Sequence, residues 1–156
     1  MVDIPNCTYD GGVLRSWGDG SNNSYWLPFT PFTNAVSNVS IAIGTTPVAL
    51  GTALDVTVSG YTLYLAQFNF SGQNLDSGGS HDILTQIAYD GTRQGNFMQH
   101  TCASASGGAQ TVSITNSFLI TADDNLSHTI SGYACISGAS VVGNVVRANL
   151  VILGVS

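Results

Sequence analysis

The sequence predicts an all-β protein, an antiparallel sandwich or jelly roll of eight to ten strands preceded by an irregular N-terminal arm. Composition is the first reason: three Arg and nine Asp are the only charged side chains among 156 residues, so Lys and Glu, two of the best helix formers, are absent. Charged residues make up 8% of the chain, against about 25% in an ordinary globular domain. The second reason is that apolar residues from position 39 onward recur with a period of two, which is typical of strands.

The strands follow one another with short polar breaks. VSIAI (39–43), LDVTV (54–58) and YTLYLAQFNF (61–70) alternate apolar with polar or small residues, and a change of phase near Ala66 and Gln67 predicts a β-bulge in the third. ILTQIAY (83–89) leads into Asp90-Gly91, a strong hairpin signal. The remaining predicted strands are QTVSIT, SFLIT, SHTISGYACI and VVRANLVILGV.

Two regions are expected, an arm over residues 1–38 and the sandwich over residues 39–156. The arm holds both tryptophans and three of the four prolines, and proline favours an extended course. Its aromatic side chains are Trp17, Tyr25, Trp26, Phe29 and Phe32. They are candidates for anchoring the protein to a partner, and the alternative is that they cover one end of the sandwich.

The closing strand has two different faces. Val146, Ala148, Leu150 and Ile152 are predicted to point into the core. The opposite face carries Val145, Arg147, Asn149, Val151 and Leu153. Because this second face becomes apolar toward its end, Val151 and Leu153 require cover, either from neighbouring subunits or from the aromatic arm.

Charge and hydropathy exclude several functions. The net charge is −6 and the three arginines, Arg15, Arg93 and Arg147, are far apart in sequence, which disfavours nucleic-acid binding. The chain has no apolar run long enough for a membrane helix and its first residues lack a secretory pattern. We therefore expect synthesis and assembly in a cytoplasm, with Cys7, Cys102 and Cys135 as buried thiols.

Sites for catalysis, metals or cofactors are not predicted. Ser80-His81-Asp82 contains the residue types of a hydrolase triad, but adjacent residues cannot face one another as nucleophile, base and orienting acid. The three histidines lack paired ligand spacing. Asp123-Asp124-Asn125 offers oxygen ligands for Ca²⁺ without the loop pattern or the bidentate Glu of a calcium hand.

The order of five segments resembles a known family. These segments are SGYTLYLAQFNF (59–70), ILTQIAYDGT (83–92), TVSIT (111–115), LSHTISGYAC (126–135) and RANLVILGV (147–155). Together they resemble the C1q/TNF-like jelly roll, and more closely the small versions on tailed-phage appendages and capsid surfaces. The chain departs from that pattern at residues 122–125, where the usual glycine turn is replaced. The resemblance implies a homotrimer with the closing strand near the three-fold axis.

These observations lead to ranked expectations of function. The first is a non-enzymatic trimeric virion surface protein, a capsid decoration or short head-spike protein that stabilises the capsid by contacting other virion proteins. The second is a receptor-binding tip of a tail fibre whose loops at residues 76–82 and 91–96 meet a host glycan or protein. A secreted C1q-like lectin module is third, weakened by the missing leader.

Overall fold

The computed structural model describes residues 8–10, 13–16, 25–27, 32–108, 110–122 and 126–155. Its strands are β1 (Thr8–Asp10), β2 (Val13–Ser16), β3 (Tyr25–Leu27), β4 (Phe32–Val36), β5 (Val39–Ile41), β6 (Val48–Ala49), β7 (Val56–Val58), β8 (Leu63–Gln73), β9 (His81–Tyr89), β10 (Thr92–Cys102), β11 (Thr111–Thr121), β12 (His128–Ser137) and β13 (Gly143–Val155). Two short 3-10 turns, Thr52–Leu54 and Ala105–Gly107, accompany them. Within the described ranges we find no helix that could reach across a bilayer.

Two five-stranded antiparallel sheets form the sandwich. In the first sheet the order is β10-β9-β12-β6, and β7 also pairs with β12. In the second sheet it is β11-β8-β13-β4, and β5 also pairs with β13. Strands β1, β2 and β3 form a separate three-stranded sheet. The predicted all-β sandwich is confirmed, and the closing strand β13 occupies a central position in the second sheet.

The core lies between the two sheets and follows the predicted alternation. Tyr64 and Phe68 of β8, Ile130 of β12 and Leu150 of β13 are all fully buried there. Cys102 and Cys135 are buried free thiols, as expected, and burial raises the pKa of Cys135 to about 11. Cys7 lies outside the described residues.

The Asp90-Gly91 turn joins β9 to β10 as predicted. Both residues have positive φ, 46° and 75°, which is the backbone geometry that favours Asp-Gly in two-residue hairpins. The carboxylate of Asp90 accepts hydrogen bonds from the Thr129 amide (2.8 Å) and from Nδ1 of His128 (2.7 Å). These bonds, the amide first, hold the pKa of Asp90 below its usual range and fasten the hairpin to β12.

The predicted bulge near Ala66 and Gln67 is wrong. Strand β8 pairs in continuous register with β11 along its whole length, and β13 shifts register against it only between Val145 and Arg147. Tyr64 and Ala66 point into the core while Leu65 points away from it. The apparent change of phase arose because Leu63 and Leu65 are apolar residues on the outer side of the strand.

The predicted boundary at residue 38 also needs correction. Strand β4, which falls within the expected arm, pairs with β13 from Val36↔Ala148 to Phe32↔Ile152. Phe32 is partly buried against the core, so it serves the sandwich and is not a free anchor. Residues 8–27, expected to be irregular, contain the three strands of the small sheet.

Candidate self-association face

The side of the second sheet that points away from the core presents an unusual surface, which we call the outer face. Its central feature is a row of three leucines on adjacent strands, in which Leu65 of β8 pairs with Leu119 of β11 on one side and Leu153 of β13 on the other. Leu65 is 40% exposed and Leu119 is 56% exposed. Directly paired residues on neighbouring antiparallel strands lie close enough for their side chains to touch, so the leucine row is a continuous apolar strip.

The apolar character extends from this row toward the middle of the sheet. Val151 is half-buried and lies two residues before Leu153 on the same face. It pairs with Gln67 of β8. Gln67 in turn pairs with Ser117 of β11. Val151 also pairs with Thr33 of β4. The predicted need of Val151 and Leu153 for cover therefore stands, because both remain partly open to solvent among the described residues.

The other end of the outer face is polar. Asn69 of β8 pairs with both Asn149 and Thr115, and Thr115 Oγ1 donates a hydrogen bond to Asn69 Oδ1 at 3.0 Å. Arg147 lies beside Ser71 in the next row. A shallow groove of about 240 Å³ is lined by these side chains. The outer face thus changes from polar to apolar along β13, as the sequence predicted.

The bulge in β13 corrects two side-chain assignments. Val145, predicted to face outward, is fully buried in the core, whereas Val146, predicted to be a core residue, is 37% exposed. The register shift between Val145 and Arg147 inserts one extra residue, which reverses the alternation for everything before it. From Arg147 to Leu153 the predicted faces are confirmed, and Ala148, Leu150 and Ile152 are buried.

The outer face carries little charge. Four aspartates lie in the described part of the sandwich, and all four are engaged in the first sheet or its loops. Asp55 accepts from Ser131 Oγ at 2.6 Å, and Asp82 accepts from Gln99 and Thr101 of β10. Asp76 and Asp90 are held in the β8–β9 loop and the β9–β10 turn. Arg147 is consequently the one ionised side chain that the described residues place on this face.

The Asp76 carboxylate organises the loop between β8 and β9. Its Oδ2 accepts from the Ser140 amide (2.6 Å) and the Ser140 hydroxyl (2.8 Å), and its Oδ1 accepts from the Gly78 amide (2.7 Å). These hydrogen bonds, the Ser140 amide first, lower the pKa of Asp76 to about 2. Because this buried carboxylate is committed to the fold, the predicted recognition loop at residues 76–82 loses its most obvious ligand-binding group.

His81 and Asp82 point to different partners. His81 Nε2 lies 3.3 Å from Asp76 Oδ2, while Asp82 bonds across the hairpin to Gln99 and Thr101. His100 lies on β10 and His128 begins β12, the strand position predicted for it. In the described ranges no three His, Cys, Asp or Glu side chains come close enough to hold a metal ion, and the 123–125 run lies outside those ranges.

The predicted anchor residues are only partly described. Tyr25 and Trp26 belong to β3, while Trp17 and Phe29 lie outside the described residues. Phe32 packs on the core. The second predicted recognition loop, residues 91–96, is mostly strand, since β10 begins at Thr92.

Sequence reasoning missed Leu65 and Leu119, two members of the leucine row. The signal was available for Leu119, because it stands between Phe118 and Ile120, which both point inward. For Leu65 the alternation was hard to recognise, because its neighbour Ala66 has a small side chain that does not indicate a core position, although Ala66 is fully buried.

The fold is that of a C1q-like jelly roll. Over 82% of this chain and 98% of the other, the structure superposes on the globular domain of zebrafish complement 1qA protein with a TM-score of 0.51 and 11% sequence identity. The resemblance expected from segment order is thereby confirmed at the level of fold.

Two further solved structures are less similar. One is from the T13 particle of the virus IBDV, at a TM-score of 0.47 and 10% identity over 89% of this chain and 35% of that one. The other is dimeric latent PorU from Porphyromonas gingivalis, at 0.41 and 6% identity over 80% of this chain and 13% of that one. No protein-family model and no curated protein matches the sequence.

Proposed function

We propose that the chain is a non-enzymatic structural protein of a virion surface that assembles as a homotrimer through the outer face of its second sheet. A capsid-decoration or short head-spike role fits this description best. The observation that carries the proposal is the leucine row, because three paired leucines on a sheet face that points away from the core are partly open to solvent among the described residues and require cover from another surface. Burying them against a second copy removes apolar area from water, which is the main driving force for association.

The distribution of polarity supports self-association. Protein interfaces have apolar centres depleted of charge and polar, solvent-accessible margins. On the outer face the apolar strip adjoins amides and hydroxyls, and the described aspartates lie elsewhere. Association therefore requires little desolvation of charge, which is the term that most often opposes burial.

The virion location rests on the resemblance of the segment order to phage surface proteins. The fold itself is compatible with this location and with other oligomeric recognition roles. Because one fold can serve many functions, the location must be tested on particles.

Leu119→Asp is the variant that tests the proposal. Leu119 is exposed, so its replacement leaves the core of the folded chain intact, but a carboxylate at one end of a buried apolar strip is strongly unfavourable. We expect the variant to dissociate to monomers at concentrations at least about tenfold above those at which the wild type dissociates. We also expect it to lose co-sedimentation with heads of the encoding virus, because attachment through three copies is multivalent.

Val48→Asp is the matched control. Val48 is a similarly exposed apolar residue on β6 of the first sheet, away from the outer face. Both variants should have the wild-type circular dichroism spectrum, and the control should keep the wild-type mass by sedimentation equilibrium. Equal masses for all three proteins would contradict the proposed interface, and trimers that never bind heads would contradict the virion role alone.

A further inference from the structure

A second groove lies at one open edge of the sandwich, between β10 of the first sheet and β11 of the second. Each of these strands is the last in its sheet, so the two sheets are not joined there by pairing. The groove has a volume of about 300 Å³, at the small end of the range for ligand pockets. It is separate from the leucine row and adjoins the outer face only along β11.

The shape of the groove is set by a bulge in β10. The register of β10 against β9 shifts between Gln94 and Met98, and Gly95 has a φ of +61°. The buried amide of Gln86 donates to the carbonyls of Gln94 (3.3 Å) and Gly95 (2.6 Å). The bulge is thus fastened to the neighbouring strand, and it brings Gln94 and Asn96 to the groove.

One polar group in the groove wall is unpaired. Asn116 lines the groove and is 7% exposed. Its Nδ2 donates a hydrogen bond to the hydroxyl of the fully buried Thr85 at 3.1 Å. Its Oδ1 has no hydrogen-bond partner. Exchanging the amide oxygen and nitrogen of Asn116 still leaves one group unpaired, because the amino group would then occupy the position of Oδ1 and lack an acceptor. A buried polar atom without a partner is costly and requires an explanation, such as an ordered water or a ligand hydroxyl that reaches it from the groove.

The rest of the lining defines the chemistry of that ligand. Gln94 and Asn96 contribute amides and Phe118 contributes an aromatic ring, whereas Thr115 and Ser117, whose side chains belong to the outer face, border the groove along β11. None of the lining side chains is ionisable, which disfavours phosphates, carboxylates and amines. Amides beside an aromatic ring suit a ligand with several neutral hydroxyl groups and one apolar face.

We propose that this groove binds a neutral sugar residue of a glycan, with a sugar hydroxyl paired to the amide of Asn116. A hydroxyl group both donates and accepts, so it satisfies Asn116 in either orientation of the amide. The inference goes beyond the structural role proposed above and does not depend on it. It gives the chain a recognition surface at the edge of each subunit.

The test combines saturation-transfer NMR with amide proton–nitrogen correlation spectra of the full-length protein in its native oligomeric state. The probes are the methyl glycosides of glucose, galactose and N-acetylglucosamine at millimolar concentration. We expect at least one of them to bind, with backbone amide shifts centred on Gly95, Asn96 and Phe118. Asn96→Ala should weaken that binding at least fivefold, and Asn116→Leu should abolish it.

Gln99→Ala is the matched control, since Gln99 is an amide on the same strand beyond the groove and bonds to Asp82. It should bind the probe as the wild type does. Asn96 is exposed, so its variant folds even if Asn116→Leu does not. The proposal is overturned if none of the three glycosides binds, if Asn96→Ala and Gln99→Ala bind equally, or if hydrogen exchange shows the groove covered by a neighbouring copy. The mass of each variant, measured in parallel, reports separately on trimer formation.

Discussion

At the scale of single residues, buried polar side chains hold the loops at one end of the sandwich. Asn74 is fully buried, and its amide donates to the carbonyls of Gly79 (2.9 Å) and Ala103 (3.1 Å) while its Oδ1 accepts from the Asp76 amide (2.9 Å). Asp76 then binds Ser140 and Gly78. Three loops are tied together in this way, which accounts for the order of a region that contains few apolar side chains.

This network makes stability depend on acid pH. The pKa of Asp76 falls from 3.8 to about 2 on folding, so the folded state binds the proton less tightly than the unfolded state. The resulting stabilisation is fully present above pH 4 and is lost as the pH falls from about 4 to about 2. We expect the urea midpoint of the wild type to drop across this interval by more than that of Asp76→Asn.

Asp82→Asn is the comparison for that experiment, because Asp82 bonds to the side chains of Gln99 and Thr101 and takes no part in the loop network. It should retain the wild-type acid dependence. A wild-type midpoint that does not change between pH 4 and pH 2 would show that Asp76 is not linked to folding as described.

At the scale of elements, alternation in the sequence was sufficient to locate most strands of the sandwich. The Asp90-Gly91 turn was also predicted correctly, because it requires a backbone conformation that few residues tolerate. The errors concern which side of a strand faces the core. Val145 and Val146 are identical neighbours, so composition cannot tell which points inward, and only pairing with β8 fixes the position of the bulge.

Strand β12 shows a second feature that alternation does not reveal. A Cβ atom at Gly132 would lie 2.6 Å from Cδ2 of Leu54, in the first 3-10 turn. It would also lie 2.6 Å from Cε2 of Phe68, on β8 of the opposing sheet. Glycine at this position therefore allows the aromatic ring to pack directly on the backbone. From the sequence alone, Gly132 indicates only a break in the apolar pattern of this strand.

Gly132→Ala should destabilise the protein by about 1–3 kcal/mol, the usual cost of overpacking a core. Gly44→Ala is the control, because its Cβ would have no neighbour closer than 3.9 Å, at Thr46. The control should change stability by less than about 0.5 kcal/mol or raise it slightly. Denaturation curves give both changes in the free energy of unfolding. Equal midpoints for the two variants would contradict the prediction, because they would show that the core accommodates a Cβ atom at position 132 without loss of stability.

At the scale of the whole molecule, segment order predicted the architecture although the sequence is only 11% identical to the C1q domain on which it superposes. The fold depends on alternation and turns, which many sequences satisfy. The groove between β10 and β11 could not be predicted, because it depends on a bulge, on an unpaired amide and on the placement of two consecutive strands at the edges of different sheets. The leucine row likewise depends on registers that only the folded sheet defines.

The proposed assembly requires that the outer face is buried between identical subunits. Sedimentation equilibrium of the purified full-length chain tests this directly. We predict a single species with three times the 16.2 kDa chain mass at micromolar concentration. A stable monomer under the same conditions would contradict the account, because the leucine row would then be a solvent-exposed surface without a partner.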